Sequence, residues 1–152
     1  MTVRGFESVL KECVNVKVDD ADVEFKIPTT AGLFITKLDA WIDRGLEKDN
    51  DMDDMMYLMD NFYLPNCTDP VYTEVFDVVE DADMFISGAY MLAMDASLLL
   101  LDEEKAYYKD RIKAELTKQE ASLLIQKSIK SSKKNYETVY RAWELFIGRL
   151  VK

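Results

Sequence analysis

Histidine is absent from all 152 residues, which removes histidine general bases, histidine-centred triads and most zinc and copper sites from consideration. Only two cysteines occur, Cys13 and Cys67, far apart and without a CxxC partner, so neither a disulfide framework nor a zinc knuckle is indicated and buried free thiols are expected. The three prolines and five glycines form no low-complexity linker, and no internal repeat is evident. The N-terminus, Met1-Thr2-Val3-Arg4-Gly5-Phe6-Glu7, lacks the apolar run of a secretory signal, so a cytoplasmic location is expected, within a host cell if the gene is a phage gene. Basic charge is missing altogether between Asp49 and Glu104.

That last absence leads to what is present. Residues 1–104 hold 7 basic against 24 acidic side chains, whereas residues 105–152 hold 12 against 5, within a net charge of -10. Apolar residues make up 49% of the chain, enough for a real core in one domain spanning 1–152. The expected architecture is mainly α: a helical bundle with a small N-terminal β-hairpin and a C-terminal helical hairpin.

Phe6, Val9, Leu10, Cys13 and Val14 share one helical face and predict a first short helix. Alternation then takes over in Val14-Asn15-Val16-Lys17-Val18 and Val23-Glu24-Phe25-Lys26-Ile27, around Asp19-Asp20-Ala21-Asp22, predicting a half-buried hairpin near 14–27. Two strands alone are marginal, so this pair should lean on helices. After Pro28, Thr29 or Thr30 can cap a helix whose inner stripe is Phe34, Leu38, Trp41 and Ile42, running to Gly45. Met52, Met55, Met56, Met59, Phe62 and Tyr63 recur at helical spacing, with Asp51, Asp53 and Asp54 where negative charge favours the helix dipole.

Val71 to Glu80 predicts a short helix, and a long one should run from about Met84 toward Lys113. Its first half is apolar nearly all round and approaches membrane-span length. Gly88, Asp95 and flanking acids argue instead for a central buried helix or a subunit interface. From Lys118, a stripe through Ala121, Ile125, Ile129, Ser132, Tyr136, Val139, Tyr140, Trp143, Ile147 and Leu150 suits one long helix, or two joined near Ser131-Ser132. Thr117 and Glu120 are spaced as a capping box.

Three patterns bear on chemistry. Asp49, Asp51, Asp53 and Asp60 fall at positions 1, 3, 5 and 12 of a calcium-loop count, but Asp54 stands where the turn needs glycine and Asp60 where a bidentate Glu is needed. No metal or other cofactor is expected. The acidic stretch, Asp49, Asp51, Asp53, Asp54, Asp81 and Asp83 above all, is either a solvated face or a surface for a protein partner, as in an inhibitor that mimics a phosphate backbone. The basic segment 105–152 carries Lys113, Lys118, Lys127, Lys130, Lys133, Lys134, Arg141 and Arg149, interleaved with Tyr136, Tyr140 and Trp143. Cations that track phosphates and aromatics that stack bases are the mixture that binds single-stranded nucleic acid. The competing reading puts the aromatics in the core and the lysines against water or acids. Without a nucleophile elbow, Gly-rich loop or metal-ligand spacing, no enzyme is expected.

Glu104-Lys105-Ala106-Tyr107-Tyr108-Lys109, Leu116-Thr117-Lys118-Gln119-Glu120-Ala121 and Tyr140-Arg141-Ala142-Trp143-Glu144 with Gly148-Arg149-Leu150 give the C-terminal third a pattern that resembles the helical arm of bacteriophage UvsY-like recombination mediators. The resemblance implies a small, helical, oligomeric protein whose basic arm contacts single-stranded DNA. The hairpin preceding a helical body is also similar to phage tail-assembly chaperones. The expected role is thus a non-enzymatic, self-associating phage-type accessory protein contacting single-stranded DNA or an acidic partner. An acidic protein-binding inhibitor and a virion structural protein are the alternatives.

Overall fold

A computed structural model describes residues 4–18, 23–44, 49–79 and 83–152. Helices dominate, and the only sheet among the described residues is a two-stranded antiparallel hairpin. The order is α1 (Phe6–Lys11), β1 (Val14–Lys17), β2 (Glu24–Ile27), α2 (Thr30–Arg44), α3 (Asn50–Asn61), α4 (Tyr63–Asn66), α5 (Asp69–Val78), α6 (Met84–Leu99), α7 (Asp102–Leu116), α8 (Leu123–Ser132) and α9 (Tyr136–Leu150). A single 3-10 turn, Gln119–Ala121, lies between α7 and α8.

Helix α6 is the hub, with α9, α3, α2 and α4 packed around it. Its apolar sequence is explained by burial: Phe85, Ala89, Tyr90, Met91, Leu92, Ala93 and Ala96 are all in the core. Gly88 permits the closest approach, because a Cβ there would lie 1.9 Å from the carbonyl oxygen of Met59 on α3. Phe34 of α2 meets Trp143 and Phe146 of α9 at centroid distances of 6.1 and 5.2 Å, and Met52, Met55, Met56 and Met59 fill the space beneath α3. No helix among the described residues is long and apolar enough to cross a membrane.

Several boundaries differ from the sequence expectations for local reasons. The helix expected from Met84 to Lys113 is broken at Leu100 and Leu101, where the backbone is extended. Glu104 accepts the Leu101 N–H at 2.8 Å, so α7 starts anew with Asp102, Glu103 and Glu104 in its first turn. Thr117 and Glu120 form no capping box, since Thr117 ends α7. Ser122 caps α8 instead, its Oγ accepting the Ile125 N–H at 3.2 Å. The final stripe is two helices: Lys133 ends α8 in the left-handed region at φ 61°, and Asn135 caps α9 by accepting the Thr138 N–H. Because α9 packs on α6 and α7, residues 105–152 are built into the core.

At the N-terminus, α1 buries Ser8 and Val9 but leaves Phe6 and Leu10 exposed, and Val14 belongs to β1. Thr29 caps α2 as expected, accepting the Gly32 N–H at 3.1 Å. The hairpin does not lean on the helices: every residue of both strands is exposed. Both cysteines are free and half-buried, a wetter setting than expected. The Asp19–Asp22 turn, Gly45 and Asp81 lie outside the described residues.

Candidate functional site

The acidic and basic halves of the sequence meet within the molecule. Helix α8 lies along α3, where Asp49 takes both Lys127 and Lys130 at 2.7 Å and Asp60 takes Lys134 at 3.1 Å. Ser131 donates to Asp53 between them. Hydrogen bonds from Lys127 and then Lys130 hold the Asp49 carboxyl at about 2. On the other flank of α3, Lys37 of α2 reaches Asp54 at 2.7 Å and Asp51 at 3.2 Å, while Arg44 stands 3.8 Å from Asp51. The bond to Asp54 is the main reason that the Lys37 ammonium is raised above its ordinary value. The acids that counted as calcium-loop positions thus radiate around a helix and face different cations, and no cluster of metal-ligating side chains occurs among the described residues.

The remaining basic positions are dispersed. Arg149 donates through Nε to Glu74 at 2.9 Å, and Tyr90 donates to the same oxygen at 2.9 Å. Those two bonds, Tyr90 first, hold the Glu74 carboxyl below its ordinary range and tether α5 to α6 and α9. Arg141 pairs with Glu144 one turn on at 2.6 Å. Lys118 pairs with Glu115, which also accepts Ser122 Oγ at 3.0 Å and Leu124 N–H at 3.3 Å. Burial pushes the Glu115 carboxyl up, but these donors outweigh it and leave the group lowered. Lys113 and Lys133 are exposed with no acidic partner among the described residues. Asp83 is occupied as the cap of α6, accepting the Ile86 N–H at 3.0 Å.

The aromatics of the basic segment do not form a stacking platform. Trp143 is fully buried, and its Nε1–H donates at 3.0 Å to Ser128, whose own hydroxyl turns to the sulfur of Met52. Tyr136 and Tyr140 stack on each other at 5.7 Å and are half-buried. Most of the segment's chemistry is therefore directed inward.

A different surface faces outward. Val14 pairs with Ile27 and Val16 with Phe25, and Val18 donates its N–H to the Val23 carbonyl at 3.3 Å. Opposed residues share a face, so these six apolar side chains form one side of the hairpin. Asn15, Lys17, Glu24 and Lys26 form the other. The apolar six are 39–56% exposed, where alternation alone predicts burial against a helix. The sequence carried the signal, apolar alternation on both strands, but not the fact that no helix covers it.

No family model, curated protein or solved structure matches this chain.

Proposed function

We propose that this chain is a helical accessory protein that works by binding protein, and that it assembles with a second copy of itself through the apolar face of the β1–β2 hairpin. The observation that carries the reading is the exposed sextet Val14, Val16, Val18, Val23, Phe25 and Ile27 on a sheet that has two strands among the described residues. An isolated hairpin is marginal in water, and a second layer over the apolar face supplies what the helices do not.

Charge favours another copy as that layer. The chain as a whole is acidic, so two copies meeting broadly across their bodies would bring like charges together. Along the strands Lys17 and Lys26 stand against Glu24, while the sequence between them adds Asp19, Asp20 and Asp22, so charge favours two hairpins that run antiparallel about a two-fold axis with their acidic connections at opposite ends. Six half-exposed side chains offer roughly 400 Å² of apolar surface, enough to mark an interface. That is less than the roughly 800 Å² per partner of a standard stable complex, so the dimer is weak and concentration-dependent. The resemblance to UvsY-like mediators, which are oligomeric, agrees with self-association. Contact between the basic segment and single-stranded DNA would require Lys127, Lys130, Lys134 and Arg149 to leave their carboxylates.

Sedimentation equilibrium tests the proposal. The mass should rise from monomer toward dimer between about 1 and 100 μM, the range of a weak interface. Phe25→Glu and Val16→Glu, both at exposed positions, should remain monomeric and fully helical. A wild-type chain that stays monomeric throughout, or a Phe25→Glu variant that dimerises equally well, overturns it.

A further inference from the structure

A cleft lies between α2, α7 and the start of α8, lined by both apolar and basic side chains. It encloses about 470 Å³, within the size range of small-molecule sites. Trp41, Ile42, Ile112 and Leu123 supply apolar wall, and three cations, Arg44, Arg111 and Lys118, face two carboxylates, Asp43 and Glu115. A local excess of positive charge is notable in a chain of net charge -10.

One further observation points to a ligand. Arg111 has no ion pair or hydrogen bond through its guanidinium among the described residues, although Glu115 lies one turn away on the same helix. Glu115 is already occupied by Lys118, Ser122 and the Leu124 N–H. Trp41, only 8% exposed, contributes its ring to the wall.

We propose that this cleft binds a small organic monoanion: a flat apolar body, held against Trp41, Ile42, Ile112 and Leu123, that bears one carboxylate or sulfonate paired with Arg111. A guanidinium presents two parallel N–H donors to such a group, a geometry that an ammonium cannot supply. Arg44 and Lys118 add positive potential at the rim, and Asp43 and Glu115 exclude dianions of high charge density. This inference is independent of the hairpin interface, which lies on other elements.

The full-length protein can be titrated with 1-anilinonaphthalene-8-sulfonate and, in parallel, with the uncharged N-phenyl-1-naphthylamine. Trp41 serves as the energy donor at the site. The sulfonate should bind saturably with quenching of tryptophan emission, and the neutral probe should not. Arg111→Ala, an exposed position that leaves the fold intact, should weaken sulfonate binding by about tenfold or more, the scale of a charge-assisted hydrogen-bonded pair. Arg111→Lys should recover part of it, and Lys113→Ala, outside the cleft, should change nothing. Equal affinity of wild type and Arg111→Ala, or equal binding of the two probes, overturns the proposal. So does loss of the signal in Phe25→Glu but not in Arg111→Ala, which would place the probe on the hairpin.

Discussion

Asp39 shows how much a single buried carboxyl can hold. It is 4% exposed, accepts the Arg4 N–H at 3.1 Å and lies 3.2 Å from the Tyr108 hydroxyl, which itself donates to the Arg4 carbonyl at 2.7 Å. Three distant stretches of chain are joined there, and Arg4 covers the Tyr107 ring at 4.0 Å. Gly5 follows in the left-handed region at φ 75°, where a Cβ would press on the Tyr108 hydroxyl at 3.1 Å. Burial is the main reason that the Asp39 carboxyl is raised from its ordinary 3.8, and burial with the Asp39 charge raises the Tyr108 phenol too. A carboxyl whose folded value is raised takes up its proton in the native state first, so the folded protein loses stability as pH climbs from 3.8 through that raised value. Asp39→Asn keeps an acceptor for the Arg4 N–H, can donate to the Tyr108 oxygen, and has no charge to desolvate. Its melting temperature should exceed that of wild type at pH 7, and the gap should close as pH falls to 3.8. A variant that melts lower at pH 7 would show that the carboxylate's bonds outweigh its burial. None of this was visible in the sequence, where Asp39 is one acid among 29.

Among the elements, α3 and α6 are bound by backbone proximity as much as by side chains. Gly88 has the Met59 carbonyl where its Cβ would be, and backbone cannot yield as a flexible side chain does. Gly88→Ala should therefore destabilise by about 3 kcal/mol or more in urea unfolding, despite the better helix propensity of alanine. A loss below about 1 kcal/mol would mean that the helices part readily. Helical periodicity made α2, α3 and the α8 and α9 stripes legible, because one face of each is buried and its spacing records that. It could not show the break between α6 and α7, since a continuous apolar run masks the change of direction. The acidic triplet Asp102-Glu103-Glu104, favourable at a helix start, was the overlooked sign. In the hairpin, alternation located β1 and β2 to within a residue at each end, but alternation records which residues share a face and not what covers that face.

Across the whole molecule, the polarity of the sequence becomes internal pairing. Asp49, Glu74 and Glu115 are lowered by the cations or hydrogen-bond donors that meet them, so each favours the fold above its unfolded value and loses that contribution as pH falls through its folded one. For Asp49 the window runs from 3.8 down to about 2. Its side-chain carboxyl resonance, followed by NMR, should titrate near pH 2. A midpoint near 3.8 would mean that Lys127 and Lys130 do not engage it. The sequence by itself determined the helical class, the position of the hairpin and the separation of charge, because each is written in local spacing and composition. Only the tertiary structure decided that acidic and basic segments pair across α3 and α8, that Trp143 is core, and that the hairpin is bare, because contact between residues some 80 positions apart depends on how helices pack and leaves no periodicity in the chain.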